Sequence, residues 1–297
     1  MNETIDVVVI TYCSAKYVLQ TLESIYAQTY TAIRLIVSDD CSKDNTVSLC
    51  RDWIEEHKER FVATEIIESP QNQGAVFNCQ RAFSRITAAY YAMTAGDDYW
   101  APTYLEKCMR KYQDMPEAGF VFVSSNIVYQ QQGRIEKEDI SAFREGDIFE
   151  DLMLLNFWPK SGGFLFRTEA MRSVGGYNTS IWVEDFDYAL RIAKLYPIGW
   201  VRDYEMYYRL HDANAGGDSI RLLTALEETL LPYISHPLYS EAMQRLEARL
   251  IAVAKKENLS FLLHRAFQKR SVVYIKAYLH AIARKFKSNV YSFSHNH

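Results

Sequence analysis

The chain has 297 residues, 48% of them hydrophobic and 14% aromatic, which is enough to bury one large α/β core or two smaller ones and excludes a disordered chain. Its net charge of −4 is uneven: seven Lys or Arg and no acid follow Asn258, leaving 26 basic against all 37 acidic groups, a net of −11, before it. An acidic body argues against a nucleic-acid-binding face.

The five cysteines (Cys13, Cys41, Cys50, Cys79, Cys108) are odd in number and lack metal-ligand spacing. They predict small buried apolar side chains of a reducing compartment. The first apolar run, Val7 to Ile10, is strand-sized, so neither a signal peptide nor a membrane span is expected and the location predicted is cytoplasmic.

Strand and helix patterns alternate from the start. Ile5 to Thr11 is a β-branched run of the kind found in a central parallel strand, and Ser14 can cap a helix to about Gln28. A strand over Ala32 to Ser38, a helix after Asp44, a strand over Phe61 to Ile67 and a helix over Gln73 to Ile86 follow. Tyr90 to Ala95 is the next strand, and Pro102 opens a helix to about Asp114. This order predicts a doubly wound, mostly parallel, Rossmann-like α/β sheet with its ligand beyond the carboxyl ends of the strands. Phe120 to Tyr129 and Arg134 onward read as a strand pair around Gln130 to Gly133. Gly162-Gly163 precedes a strand over Phe164 to Arg167, Thr168 caps a helix ending near Gly175-Gly176, and Asp185 to Tyr196 is helical. Beyond Gly217 the pattern is helical to about Lys287.

Three acidic clusters carry the candidate chemistry. After the second strand comes Asp39-Asp40-Cys41-Ser42-Lys43-Asp44-Asn45-Thr46, where a carboxylate can accept the imide N–H of uracil or thymine; the plain alternative is a helix cap. After the fourth strand come Asp97 and Asp98, whose mutual repulsion a divalent cation would relieve, Mg2+ or Mn2+ suiting hard oxygen ligands; a solvated acidic turn is the alternative. The third is Glu184-Asp185 at a helix start, able to act as a general base or merely to cap.

In their order these features resemble the inverting family 2 glycosyltransferases of GT-A fold. The matching residues are Thr11-Tyr12, Asp39-Asp40-x-Ser42-x-Asp44-x-Thr46, Asn72-x-Gly74, Asp97-Asp98, Gly175-Gly176-Tyr177-Asn178, Glu184-Asp185 and Arg209-x-His211, spanning residues 5 to about 214. The resemblance implies a nucleotide site made by Thr11, Tyr12, Asp40, Asn72, Gly74 and Asp97, with Asp40 accepting the nucleobase N–H and Asp97 holding the ribose. It implies Asp98 and His211 as ligands of Mn2+ or Mg2+, Asp185 as catalytic base, and Glu184, Trp182 and Arg209 facing the acceptor or diphosphate. Cys13 and Cys41 depart from the family, which often has Asn and Gly there.

The implied reaction moves a sugar from a nucleoside-diphosphate sugar, UDP by default, to a hydroxyl of a glycan or lipid-linked acceptor, with surface-polysaccharide assembly as the family-level setting. The expected domains are a catalytic domain over 1–217, with a nucleotide-sugar half to about 118 and an acceptor half from 119, and a basic helical extension over 218–297. In that extension an apolar stripe (Val272, Ile275, Leu279, Ile282, Phe286) beside a basic one (Lys276, His280, Arg284, Lys287) suits packing on the catalytic domain, a homodimer contact, or an anionic membrane face. Rival readings are a non-catalytic sugar-binding module, a nucleotidyltransferase and a glycoside hydrolase. The nucleotidyltransferase lacks its glycine-rich loop, since Tyr12 to Tyr17 contains no Gly, and a processive polymerase is disfavoured by the absence of Q-x-x-R-W.

Overall fold

The β-branched run at the start of the chain forms β1 (Ile5–Thr11), and every one of Ile5, Val7, Val8 and Val9 is fully buried. Such burial on both faces requires helices above and below the strand. The structure, a computed structural model, describes residues 3–211, 219–269, 274–279 and 282. They fall in two compact units, residues 1–214 and 215–297.

In the first unit, β1 is followed by α1 (Val18–Tyr26), β2 (Ile33–Asp39), α2 (Thr46–His57), β3 (Ala63–Glu68), α3 (Ala75–Phe83) and β4 (Tyr90–Ala95). These four strands lie side by side in the order β3-β2-β1-β4 and are parallel. The chain winds outward from β1 to β3 and then returns to place β4 on the other side of β1. That reversal is the topological switch point, where such sheets open a crevice for ligand. The register pairs Thr11 with Asp39 and Ile10 with Ala95, so the residues after three strands emerge together at one edge.

After β4 the chain makes β5 (Tyr99–Trp100), α4 (Tyr104–Asp114), β6 (Phe120–Tyr129), β7 (Arg134–Lys137), α5 (Phe149–Met153), β8 (Phe164–Arg167), α6 (Thr168–Ser173), α7 (Glu184–Ala193) and β9 (Gly199–Leu210). Here the sheet is mixed: β8 is antiparallel to β4 and β6, and β9 runs parallel to β6. The twelve-residue β9 has no counterpart among the elements expected from the sequence. Two irregularities in its register with β6, around Ser124, break the alternation that would have marked it. Three helix starts also differ from expectation: Tyr17 rather than Ser14 precedes α1, and the Ser14 hydroxyl donates to Tyr12 O. Thr103 rather than Pro102 precedes α4, and the Thr168 hydroxyl donates to Ala88 O rather than capping α6.

Gly119, at the foot of β6, brings β6 against the end of the α7 segment. A Cβ there would stand 2.4 Å from Ile192 Cγ2 and 2.8 Å from Tyr196 Cβ. Three of the cysteines are buried as expected (Cys50, Cys79, Cys108), but Cys13 is exposed and Cys41 half-buried.

The second unit contains α8 (Ser219–Leu230), α9 (Tyr239–Glu257) and α10 (Leu259–Lys269), with Ala254, Leu262, Ala266, Tyr274 and Ala277 in its core. Arg265 and Lys269 both pair with Glu227. Of the expected apolar stripe, Ile275 and Leu279 are exposed, while Tyr274 and Ala277 make the buried face. Val272, His280, Arg284, Phe286 and Lys287 lie outside the described residues. No described helix is long and apolar enough to cross a membrane.

Candidate active site

At the end of β1 the Thr11 hydroxyl donates to Asp39 Oδ2 at 2.8 Å, so it is turned into the protein and away from an incoming base. Asp39 also accepts the Ser42 amide at 2.8 Å and the Ser42 hydroxyl at 2.5 Å. Asp40, 2% exposed, accepts the Gln73 and Gly74 amides through Oδ2 at 3.0 and 2.6 Å and the Arg81 guanidinium through Oδ1 at 3.2 Å. A carboxylate offers about four acceptor positions, so three donors leave little of Asp40 for a nucleobase; its clear structural action is to hold the 73–74 loop. Gly74 has a φ of 95°, which glycine supplies without strain, and its amide is shared with Asn72 Oδ1 at 3.1 Å. Gln73 and Arg81 therefore belong to this site, and the charge pattern alone does not single them out.

Tyr12 is 51% exposed, and the next residue, Cys13, ties this segment to the 39–46 stretch by donating its amide to Ser42 Oγ at 2.8 Å; an exposed tyrosine ring is a surface on which a base can stack. Cys13 and Cys41 have φ of 51° and 66°. This left-handed region favours Gly and Asn, the residues that the family often carries at the two positions.

The turn after β4 gathers the second cluster around β9. Asp98, 5% exposed, accepts the Arg209 amide at 2.8 Å through Oδ1. Burial first, and the charge of Asp97 second, push its pKa well above the usual carboxylate range, against the opposing Arg209 and Lys160. Arg209 is itself buried. Its guanidinium donates to Asp97 O at 2.7 Å, to Gln20 Oε1 at 2.6 Å and to Gln130, between the rings of Tyr17 and Tyr99 at 4.6 and 5.2 Å. It is placed as a brace of the Asp97-Asp98 turn rather than as an open diphosphate ligand. His211 Nε2 lies 2.9 Å from Asp97 Oδ2, with its ring against Tyr17. His211 thus meets Asp97 and not Asp98.

The third cluster starts α7. Asp185 accepts the Phe186 amide at 2.8 Å. Burial raises the pKa of Asp185, opposed by that amide, by the Lys160 charge and by a hydrogen bond with Ser161; Glu184 is raised by burial and by the charge of Asp185. The helix is anchored behind them by Arg191, which pairs with Asp187 and donates to Val174 O at 2.6 Å. The adjacent Gly175-Gly176 turn docks on α3, where Gln80 accepts the Tyr177 amide at 3.0 Å. Tyr177, Phe186 and Tyr188 are core residues, while Trp158 and Trp182 remain half-buried. Trp158 and Trp182 are thus the two aromatics of this group that keep partial exposure.

The three clusters share one region. Tyr208, on β9, lies in the field of Asp98, Asp97 and Asp185, which together with burial, the larger cause, pushes its pKa to about 12. The buried Cys79 thiol feels Glu184, Asp185 and Asp40, again after burial as the main cause of its raised pKa. Among the described residues no three His, Cys, Asp or Glu side chains close around a cation. Mg2+ and Mn2+ that act on phosphates are commonly held by one or two carboxylates and the substrate's own oxygens, and among the described residues no hydrogen bond to Asp98 Oδ2 competes for such a role.

A parallel, nucleotide-binding type of half-sheet joined to a mixed half, with carboxylates converging at the switch point, defines the GT-A glycosyltransferase class. The chain belongs to glycosyl transferase family 2, whose model matches residues 6–175. An uncharacterized glycosyltransferase of Nostoc sp., alr2836, is 26% identical over 219 residues, covering 71% of this chain and 66% of that one. The putative teichuronic acid biosynthesis glycosyltransferase TuaG of Bacillus subtilis is 24% identical over 133 residues, covering 45% and 51%. The chain thus spans between about half and two thirds of these relatives.

Among solved structures, Staphylococcus aureus TarS 1–349 in complex with UDP-GlcNAc superposes with a TM-score of 0.67 at 15% identity, covering 94% of this chain and 79% of that one. The mannosyltransferase PcManGT of Pyrobaculum calidifontis, in complex with GDP-Man and Mn2+, gives 0.62 at 21% identity, covering 96% and 87%.

Proposed function

We propose that this glycosyltransferase is metal-dependent, inverting and non-processive, and transfers a sugar from a UDP-sugar to a hydroxyl of a glycan or glycolipid acceptor. The reading rests on one observation: Asp185, whose carboxyl is kept more basic than usual by burial, lies in the same field at Tyr208 as Asp97 and Asp98. A base near the operating pH and a carboxylate pair facing a diphosphate are the two things an inverting displacement needs.

In the proposed reaction the nucleobase stacks on Tyr12 within the slot bounded by the 39–46 and 72–74 segments. Asp97 meets the ribose, and Asp98, with His211 beside it on Asp97, would hold the divalent cation. When bound, that cation neutralises charge on the departing diphosphate. Asp185 orients the acceptor hydroxyl and takes its proton. The acceptor oxygen bonds the anomeric carbon as the bond from that carbon to the diphosphate oxygen breaks on the opposite face, so configuration inverts. Glu184 and Trp182 border the acceptor side.

Several neighbours' names support the setting: TuaG is named for teichuronic acid biosynthesis, and the two structures hold UDP-GlcNAc and GDP-Man with Mn2+. A surface-polysaccharide role is proposed on that basis; a place on the cytoplasmic side, with peripheral membrane contact or dimerisation through the C-terminal helices, is proposed with it from the sequence pattern of that extension alone.

The test is a thermal-shift panel of UDP, dTDP and GDP with and without Mn2+, followed by release of nucleoside diphosphate from the matching nucleotide sugars. A Mn2+-dependent shift with UDP and turnover of a UDP-sugar are expected. No shift with any nucleotide would defeat the reading.

A further inference from the structure

Five carboxylates border the transfer site: Asp97, Asp98, Glu138, Glu184 and Asp185. One lysine enters among them. Lys160 sits on the turn before β8, and that turn is tightly fixed. Gly163 N–H donates to Lys160 O at 3.0 Å, and Trp100 Nε1 donates to Gly162 O at 2.7 Å. A Cβ on Gly162 would lie 3.3 Å from Thr94 Oγ1 and 3.5 Å from Asp98 Oδ2, so the turn runs directly past the Asp98 carboxylate. The next residue toward the N-terminus, Ser161, lies close enough to Asp185 to help hold its carboxyl down against burial. The turn that carries Lys160 thus runs beside Asp98, with Ser161 near enough to Asp185 to act on it.

The ammonium group is held only by a long ion pair with Glu138 and by the face of Tyr208. It lies 5.4 Å from the centre of the Tyr208 ring and 3.8 Å from Glu138 Oε1, beyond hydrogen-bond reach, and its side chain is 36% exposed. Glu138 Oε2 is buried and has no hydrogen-bond partner. An ammonium carries three donors, and among the described residues the carboxylate it pairs with, Glu138, stands beyond hydrogen-bond distance. The charges of both Asp98 and Asp185 are eased by it, which agrees with its place between them.

In the proposed reaction, the group lying between a diphosphate-facing carboxylate and the base is the sugar with its terminal phosphate. We propose that Lys160 is a substrate-binding residue whose ammonium contacts the sugar-bearing phosphate of the donor and stays with it as the diphosphate departs. A lysine serves as a point charge toward phosphate, and the inference rests on the nucleotide-sugar reading above.

The experiment uses the full chain and whichever of UDP, dTDP and GDP gives the largest thermal shift with Mn2+, together with its monophosphate. Binding of both is measured by calorimetry for the wild type, Lys160→Met, Lys160→Arg and the double variant Lys160→Met/Glu138→Gln. Lys160→Met is expected to weaken the diphosphate about tenfold or more, in line with a lost charge-assisted bond of about 1.5–3 kcal/mol, and to leave the monophosphate unchanged. Lys160→Arg should recover most of the loss. The double variant should recover none.

Equal affinity of wild type and Lys160→Met for the diphosphate, or an equal loss for diphosphate and monophosphate, overturns the assignment. Recovery in the double variant would show instead that Lys160 only neutralises Glu138, and would also overturn it. If the wild type binds none of the nucleotides, the nucleotide-sugar reading itself falls, an outcome distinct from the failure of Lys160 alone.

Discussion

Replacing Asp185 with Asn is the sharpest test of the proposed base. The amide keeps the side-chain volume and an oxygen that can accept the Phe186 N–H now held at 2.8 Å, so α7 should start as before. What disappears is the basic oxygen and its charge. A positioned base contributes about 10²–10⁴-fold, about 2.7–5.4 kcal/mol at 1.36 kcal/mol per factor of ten. Turnover should fall by that factor, while Mn2+-dependent nucleotide affinity stays within about twofold.

The assay is hydrolysis of the nucleotide sugar by water, read as nucleoside diphosphate release, which needs no knowledge of the natural acceptor. In the wild type the base must be ionised, and its pKa is raised by burial. The rate should therefore drop, as the pH falls, at a pH above the ordinary aspartate range near ~4, and the variant should lack that limb. Stability gives an independent check. A folded-state pKa raised above the unfolded value means that the folded chain holds more protons, so this group's contribution declines as pH rises through the interval. The variant's melting temperature should then gain on the wild type from acid toward neutral pH. Turnover above about a tenth of wild type with unchanged donor affinity would remove Asp185 from the base role.

Two further outcomes follow from the packing. Arg209→Met should lower stability by about 4–5 kcal/mol, at about 1 kcal/mol for each of three lost bonds and about 0.5–1 for each of two aromatic faces, and should abolish Mn2+-dependent nucleotide binding because the Asp97-Asp98 turn loses its brace. Arg209→Lys should not rescue it, and urea unfolding that matches wild type would refute the bracing role. Gly119→Ala should cost about 1–3 kcal/mol through overpacking against Ile192 and Tyr196, and should depress turnover by displacing α7. An unchanged melting temperature would show that the α7 segment gives way there.

Much of the nucleotide half is legible in the chain. Runs such as Ile5 to Thr11 are buried on both faces, so their strand character is local and survives any context, and the acidic residues after them emerge at the switch point as the strand order requires. The family resemblance itself rests on the order of short motifs, which is a property of the chain alone.

Tertiary structure decided the rest, because hydrogen-bond partners come from distant segments. The sequence marks Thr11, Asp40 and Arg209 as candidates for ligand contact. Only the fold shows the Thr11 hydroxyl given to Asp39, Asp40 occupied by the 73–74 loop and Arg81, and Arg209 enclosed by Tyr17, Tyr99, Gln20 and Gln130. The same holds for β9 and Lys160. Irregular pairing erases the alternation of the one, and the other matters through neighbours that lie scores of residues away. Local sequence determines which elements form and which charges they carry. Long-range packing determines which of those charges remain open to a substrate.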